Sequence, residues 1–231
     1  MGMVRISAPQ QLTFVMNIYL IRHARSFPRG GLLYEEDARA DLSAFGECEA
    51  WLLSRYLKRR GIVPEVFVTS PMVRARQTTD ILNRGSVPVE TDGRLAEFKY
   101  PAEFSEKHKL RTLKSRTQHE WEYTPGPSGE SFVQCGGRLI SALNDIVQRP
   151  HKNVCIVSHA FIMQCAFSGL FNLKELLMFG TASVSLITFT DGKFKLGFTN
   201  QVLPRRSILA CKAVSFPVRV LRGLKKRMLK K

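Results

Sequence analysis

Apolar positions along the chain fall into two kinds of pattern, short continuous runs and longer stretches spaced by three or four. Ile18-Tyr19-Leu20-Ile21 is a continuous run rich in β-branched and aromatic side chains, which predicts a buried strand. Val66-Phe67-Val68-Thr69 and Asn153 to Ser158 repeat that pattern, and residues 87–90 form a shorter candidate. Phe45, Cys48, Trp51, Leu52 and Tyr56 recur at helical spacing, so a helix is predicted from an Asp41-Leu42-Ser43 cap to about Arg60, stopped by Gly61. The charges Glu47, Glu49, Arg55, Lys58 and Arg59 are expected on its outer face. Ser70-Pro71 ends the second strand and opens a helix that carries Arg74, Arg76, Gln77 and Thr78 in its first two turns. A further helix is predicted from Ser128-Gly129-Glu130-Ser131 to about Gln148, with Phe132, Cys135, Leu139, Leu143, Ile146 and Val147 on one face. Helices are also expected from Phe161 and from about Leu173. Ser183–Thr190 and Lys193–Thr199 flank Asp191-Gly192, a strong hairpin signal.

Strands that alternate with helices imply an α/β fold: a three-layer α/β/α sandwich whose mostly parallel sheet ends in an antiparallel edge. One domain is predicted over residues 16–204, after an N-terminal extension at 1–15. The polar stretch 99–128 reads as an insertion or lid, and 205–231 as a basic tail.

Composition changes this picture in one place. The chain has 35 Lys+Arg against 19 Asp+Glu, a net charge of +16, yet residues 201–231 alone hold ten basic residues and no acidic ones, which leaves +6 for residues 1–200. Within the tail Val218, Leu221, Leu224 and Met228 share one helical stripe. Residues 212–231 therefore fit an amphipathic helix on an anionic membrane surface, and equally a solvated tail. With no interleaved aromatics and no nucleic-acid fold signature, nucleic acid is disfavoured as a partner.

No apolar run approaches the roughly 18–20 residues of a membrane span. Residues 1–15 lack the apolar stretch and cleavage site of a secretory leader. The five cysteines show neither CxxC pairs nor metal-ligand spacing, so buried free thiols in a reducing, cytoplasmic setting are expected, peripheral to the inner membrane face if the tail binds there.

The chemistry is concentrated where strands end. Arg22-His23 closes the first run, Ser158-His159 the third, and Ser70-Pro71 the second, just ahead of Arg74. In an open α/β sheet these side chains gather at one carboxyl-end rim, where ligands bind. Two arginines with two histidines make an oxyanion pocket, because guanidinium forks match phosphate oxygens and stay charged. The same cations disfavour protonation of a nearby imidazole, and the neutral imidazole is the nucleophilic form. Two satisfied core histidines and an ordinary surface carboxylate at Glu97 are the plainer readings of the same residues. His108, His119 and His151 fall in polar or turn contexts without such companions.

These residues resemble the histidine phosphatase superfamily, the phosphoglycerate mutase-like branch 1. Leu20-Ile21-Arg22-His23-Ala24-Arg25-Ser26 is similar to its Arg-His-Gly signature, and Asp41-Leu42-Ser43 through Gly46 and Ala50 to its leucine-threonine-glycine helix. Ser70-Pro71-Met72-Val73-Arg74-Ala75-Arg76-Gln77-Thr78 follows the Ser-Pro-Leu-x-Arg-Ala-x-Gln-Thr segment almost position for position. Leu95-Ala96-Glu97-Phe98, Gly129-Glu130-Ser131 and Val157-Ser158-His159-Ala160 resemble the acidic segment, the Gly-Glu-Ser helix start and the second histidine motif, in the family's order.

The resemblance implies a metal-independent phosphomonoesterase that needs no cofactor. His23 would carry a phosphohistidine, with Glu97 as proton donor. Arg22, Arg74 and His159 would bind the transferred group, and Ser26 would add a hydrogen bond. The alternatives are a phosphoglycerate mutase-type phosphotransferase and a non-catalytic phosphate-binding module. Hydrolysis is preferred because the polar insertion is short and lacks an extended arginine- and proline-rich substrate segment. Lys107, Lys109, Arg111, Lys114 and Arg116 point to a phosphorylated small molecule or acidic substrate. Alanine stands at 24 and 160 where the family usually has glycine, which requires that neither position have φ > 0. Arg29 stands near a position where many members carry asparagine.

Overall fold

A computed structural model describes residues 14–27, 38–99, 122, 129–173 and 177–202. Its organising strand is β1 (Met16–Arg22), whose successive side chains point to opposite faces of the sheet. Ile18 and Leu20 enter one apolar cluster, and Tyr19 and Ile21 enter another on the far side. The strands β2 (Val66–Thr69) and β4 (Asn153–Ser158) divide in the same way, Val66, Val68, Val154 and Ile156 to the first cluster, Phe67, Cys155 and Val157 to the second. The first cluster is closed by α3 (Phe132–Ile146) and α4 (Ala160–Phe171), the second by α1 (Ala44–Arg59) and α2 (Val73–Asn83). Two-sided burial of continuous apolar strands thus produces the three-layer α/β/α sandwich.

With β3 (Val89–Thr91), β5 (Val184–Thr190) and β6 (Lys193–Leu196), the sheet runs β3-β2-β4-β1-β5-β6. The pairs β1/β4, β2/β4 and β2/β3 are parallel, while β1/β5 and β5/β6 are antiparallel. The β5–β6 turn places Asp191 and Gly192 at φ 52° and 72°, the left-handed pair that a two-residue hairpin needs.

Helix signals act locally as expected. The Ser43 side chain caps α1 by accepting from Gly46 N–H, and Gly61 follows its end at φ 66°. Ser131 and Gln134 form a reciprocal capping box at the start of α3.

Four expectations are corrected. Glu47 and Glu49 of α1 are buried, at 8% and 3% exposure, whereas Phe45, Trp51, Leu52 and Tyr56 are only partly so. Ala50, Leu53 and Leu57 set the packed face, and Glu49 is drawn in by polar partners described below. The short edge strand starts at Val89 rather than at residue 87. Among the described residues no helix is seen from Leu173: α4 ends at Phe171 with Asn172 as its left-handed cap (φ 45°), Leu173 and 177–180 are irregular, and 174–176 lie outside the described residues. Cys135, Cys155 and Cys165 are buried free thiols, but Cys48 is disulfide-bonded.

Of the extension only Phe14 and Val15 are described, and of the insertion 99–128 only Lys99 and Glu122. The readings for Arg29, for the insertion's basic residues and for the tail 205–231 lie outside the described residues. Among those described, no helix is long and apolar enough to cross a membrane.

Candidate active site

Strand register builds the site. In the sheet Arg22 lies beside Ser158, and Thr69 beside Val157, so His23, Ser70 and His159 leave three adjacent strands at one rim. Backbone bonds continue the register past the strand ends: His23 N–H donates to Ser158 O at 2.9 Å and Ser70 N–H to Val157 O at 3.0 Å. The two imidazole rings lie with centroids 5.0 Å apart and are both buried.

Hydrogen bonds assign the state of His23. Its Nδ1 lies 2.7 Å from the Ala24 carbonyl oxygen, an acceptor only, so Nδ1 bears the proton. The lone pair is then on Nε2, which accepts from Arg74 Nε at 3.1 Å. Burial above all, then Arg74 and Arg22, holds the His23 pKa well below the usual histidine value. His159 is lowered in the same direction, by burial first and then by His23, Arg74, Arg22 and Arg138. Its Nε2 pairs with Ser70 Oγ at 2.8 Å, while Nδ1 is buried without a partner. Arg22 Nη1 donates to the Phe179 carbonyl, and its Nε is likewise buried and unpartnered. Orphaned polar atoms of this kind are costly unless something charged or polar meets them.

The loop after His23 is held from beneath. Ala24 N–H donates to Thr78 Oγ1 at 3.1 Å, and the Arg25 carbonyl accepts from Ser43 N–H and Oγ. Gly46 passes so close that a Cβ there would lie 1.9 Å from the Arg25 carbonyl oxygen. Glu49 accepts from Arg25 N–H at 2.8 Å through Oε2, and from Thr181 Oγ1 at 2.8 Å through Oε1. This buried carboxylate joins the loop after β1 to the loop before β5 and helps keep Arg22 charged.

Glu97 is half-buried beside the start of α4, where its carboxylate accepts from Ile162 N–H at 3.1 Å and Phe161 N–H at 3.4 Å. A carboxylate at the start of α4 complements the helix dipole. It also counters the burial that lowers the Arg22 pKa. Arg22, His23, Arg74, His159 and Glu97 are therefore brought to one place. Ser26 is half-buried and held by a backbone bridge to Leu42. His151 lies away from the site and pairs with Glu65 at 3.4 Å.

Sequence reasoning missed Ser70, Thr78 and Glu49 as supports. Ser70 and Thr78 stand in the segment that also supplies Arg74, and Glu49 stands three residues beyond Gly46, on the face where the helix meets the loop.

Residues 18–202 match the profile of the histidine phosphatase superfamily (branch 1). The chain belongs to that family. Among curated relatives, a "Probable phosphoglycerate mutase GpmB" of Yersinia enterocolitica is 26% identical over 171 residues, 69% of this chain and 76% of that one. A "Putative phosphoserine phosphatase 2" of Hydrogenobacter thermophilus is 26% identical over 203 residues, 83% of this chain and 98% of that one. The fold is shared with a mycobacterial glucosyl-3-phosphoglycerate phosphatase, at TM-score 0.64 and 20% identity over 80% of this chain and 99% of that one. Histidine phosphatase relatives of this chain thus carry both phosphatase and mutase names.

Proposed function

We propose that the chain is a phosphomonoesterase that works through a phosphohistidine on His23. The observation that carries this reading is the state of that imidazole: neutral, with its proton held by the Ala24 carbonyl and its Nε2 lone pair facing Arg74. Nε2 attacks phosphorus, the P–N bond forms, the P–O bond to the leaving group breaks, and the leaving oxygen takes the proton of the Glu97 carboxyl. Water then attacks phosphorus and gives its proton to the Glu97 carboxylate, the P–N bond breaks, and inorganic phosphate leaves. Arg22, Arg74 and His159 hold the transferred oxygens, the orphaned Nε of Arg22 and Nδ1 of His159 finding partners there. Ser26 adds a donor at the edge of the pocket. Fixed guanidinium charge neutralises the phosphoryl group without a metal ion.

Rapid mixing with a labelled phosphomonoester and chemical quench tests this. Wild type is expected to carry an acid-labile, alkali-stable label, and His23→Ala none. A label undiminished in His23→Ala overturns the phosphohistidine. A mutase is the second reading, favoured by the likeness to the Yersinia enterocolitica protein. It would interconvert phosphate positions with little free phosphate, whereas the phosphatase releases phosphate in proportion to substrate consumed.

A further inference from the structure

The proton donor of this reading stands on a loop, just after the 3-10 turn Gly93–Leu95, and its placement depends on a side chain of α3. Arg138 Nη1 donates to the carbonyl oxygens of Arg94 (2.7 Å) and Ala96 (3.0 Å), and Nη2 to that of Glu97 itself (3.4 Å). The same guanidinium is gripped by Glu130, Nε to Oε2 at 2.8 Å and Nη2 to Oε1 at 2.7 Å. Glu130 Oε1 then accepts from Lys99 N–H at 2.9 Å. The pair thus fixes backbone at 94, 96 and 97 through carbonyls and at 99 through an amide, on both sides of the catalytic candidate.

We infer that Arg138, oriented by Glu130, is a positioning residue that sets the reach of the Glu97 carboxyl toward the leaving oxygen, an inference that rests on Glu97 being the proton donor. The planar fork is what the task requires. It spans separate carbonyls and a carboxylate at once, whereas a lysine ammonium presents its donors from a single point. The hydrogen bonds of Arg138 to the Glu97 loop run through backbone carbonyls, so its replacement by lysine, which keeps the charge felt at His159, should mimic a misplaced acid rather than a lost phosphate ligand.

The test is kcat/KM across monoesters from activated aryl to unactivated alkyl leaving groups. It is measured for wild type, Glu97→Gln, Arg138→Lys, Arg138→Met and the Glu97→Gln/Arg138→Lys pair, with folding checked by circular dichroism. Each Arg138 variant is expected to slow alkyl esters by about 10-fold to 100-fold and activated aryl esters by under about 3-fold, part of the roughly 10²–10⁴-fold that a positioned acid contributes. In the Glu97→Gln background Arg138→Lys should add no further leaving-group bias. Arg138→Lys keeps the charge opposite Glu130 and supplies the folded variant if Arg138→Met fails to fold. Equal slowing of both ester classes, or wild-type rates on both, in folded Arg138→Lys overturns the positioning role and leaves Glu97 intact. Absence of leaving-group bias in Glu97→Gln instead overturns the Glu97 assignment, and the role of Arg138 with it.

Discussion

At the scale of single residues, burial and charge together decide the protonation of His23 and His159. Both imidazoles are held neutral in the fold, burial being the larger cause for each. In the unfolded chain they titrate near the ordinary histidine value, so below about pH 6.5 the unfolded chain takes up protons that the folded protein refuses. Stability is therefore expected to fall with pH through that window, by up to about 1.4 kcal/mol per pH unit for each imidazole. Urea unfolding between about pH 7.5 and 5.5 checks this, and His159→Asn should flatten the slope. A flat wild-type profile would mean that the rings protonate in the folded state. The alanines that replace the family's usual glycines are accommodated for local reasons. Neither Ala24 nor Ala160 is among the described residues with positive φ; Ala24 packs in the second apolar cluster, and Ala160 opens α4.

At the scale of elements, α1 shows how a helix that touches no substrate shapes the site. Its N-terminal turn receives the Arg25 carbonyl through Ser43, and Gly46 lets that carbonyl approach. Gly46→Ala would have to displace the loop that follows His23. It is expected to cost about 1–3 kcal/mol, in the range of overpacked cores, together with a clear fall in turnover. Gly137→Ala on α3 is the contrast, since a Cβ there meets nothing within 4 Å. It should stabilise by about 0.5–1 kcal/mol and leave turnover unchanged. Denaturant midpoints and steady-state rates on the two variants check both. The same helix corrected the amphipathic reading: a spacing rule places carboxylates outside, but Glu49 meets two donors, Arg25 N–H and Thr181 Oγ1, and goes in.

At the scale of the whole molecule, charge is divided between a cationic pocket and a cationic tail. The ten basic residues of 201–231 lack acidic neighbours in sequence. Removing residues 212–231 is expected to leave turnover of a small soluble monoester unchanged and to weaken co-sedimentation with anionic vesicles, more so at low salt. Co-sedimentation unaffected by the deletion would leave the solvated-tail reading in place of the membrane one. The sheet order also shows why a site so dispersed in sequence is compact in space. Parallel strands β1, β2 and β4 all end at one rim, so residues 22, 23, 70 and 159 meet there.

The amino-acid sequence by itself determined whatever rests on neighbouring residues. Continuous apolar runs specified the buried strands, Ser43 and Ser131 specified helix starts, and Asp191-Gly192 specified the hairpin, because each signal acts within a few residues. It also specified which strand ends carry arginine and histidine. Only the tertiary structure decided where the remaining polar groups go. Glu49 finds Thr181 132 positions away, His159 finds Ser70 89 positions away, and Arg138 finds the backbone of Glu97 41 positions away. The reason is physical: a buried charge or donor settles wherever its partners are, and those partners become neighbours only when the sheet has formed.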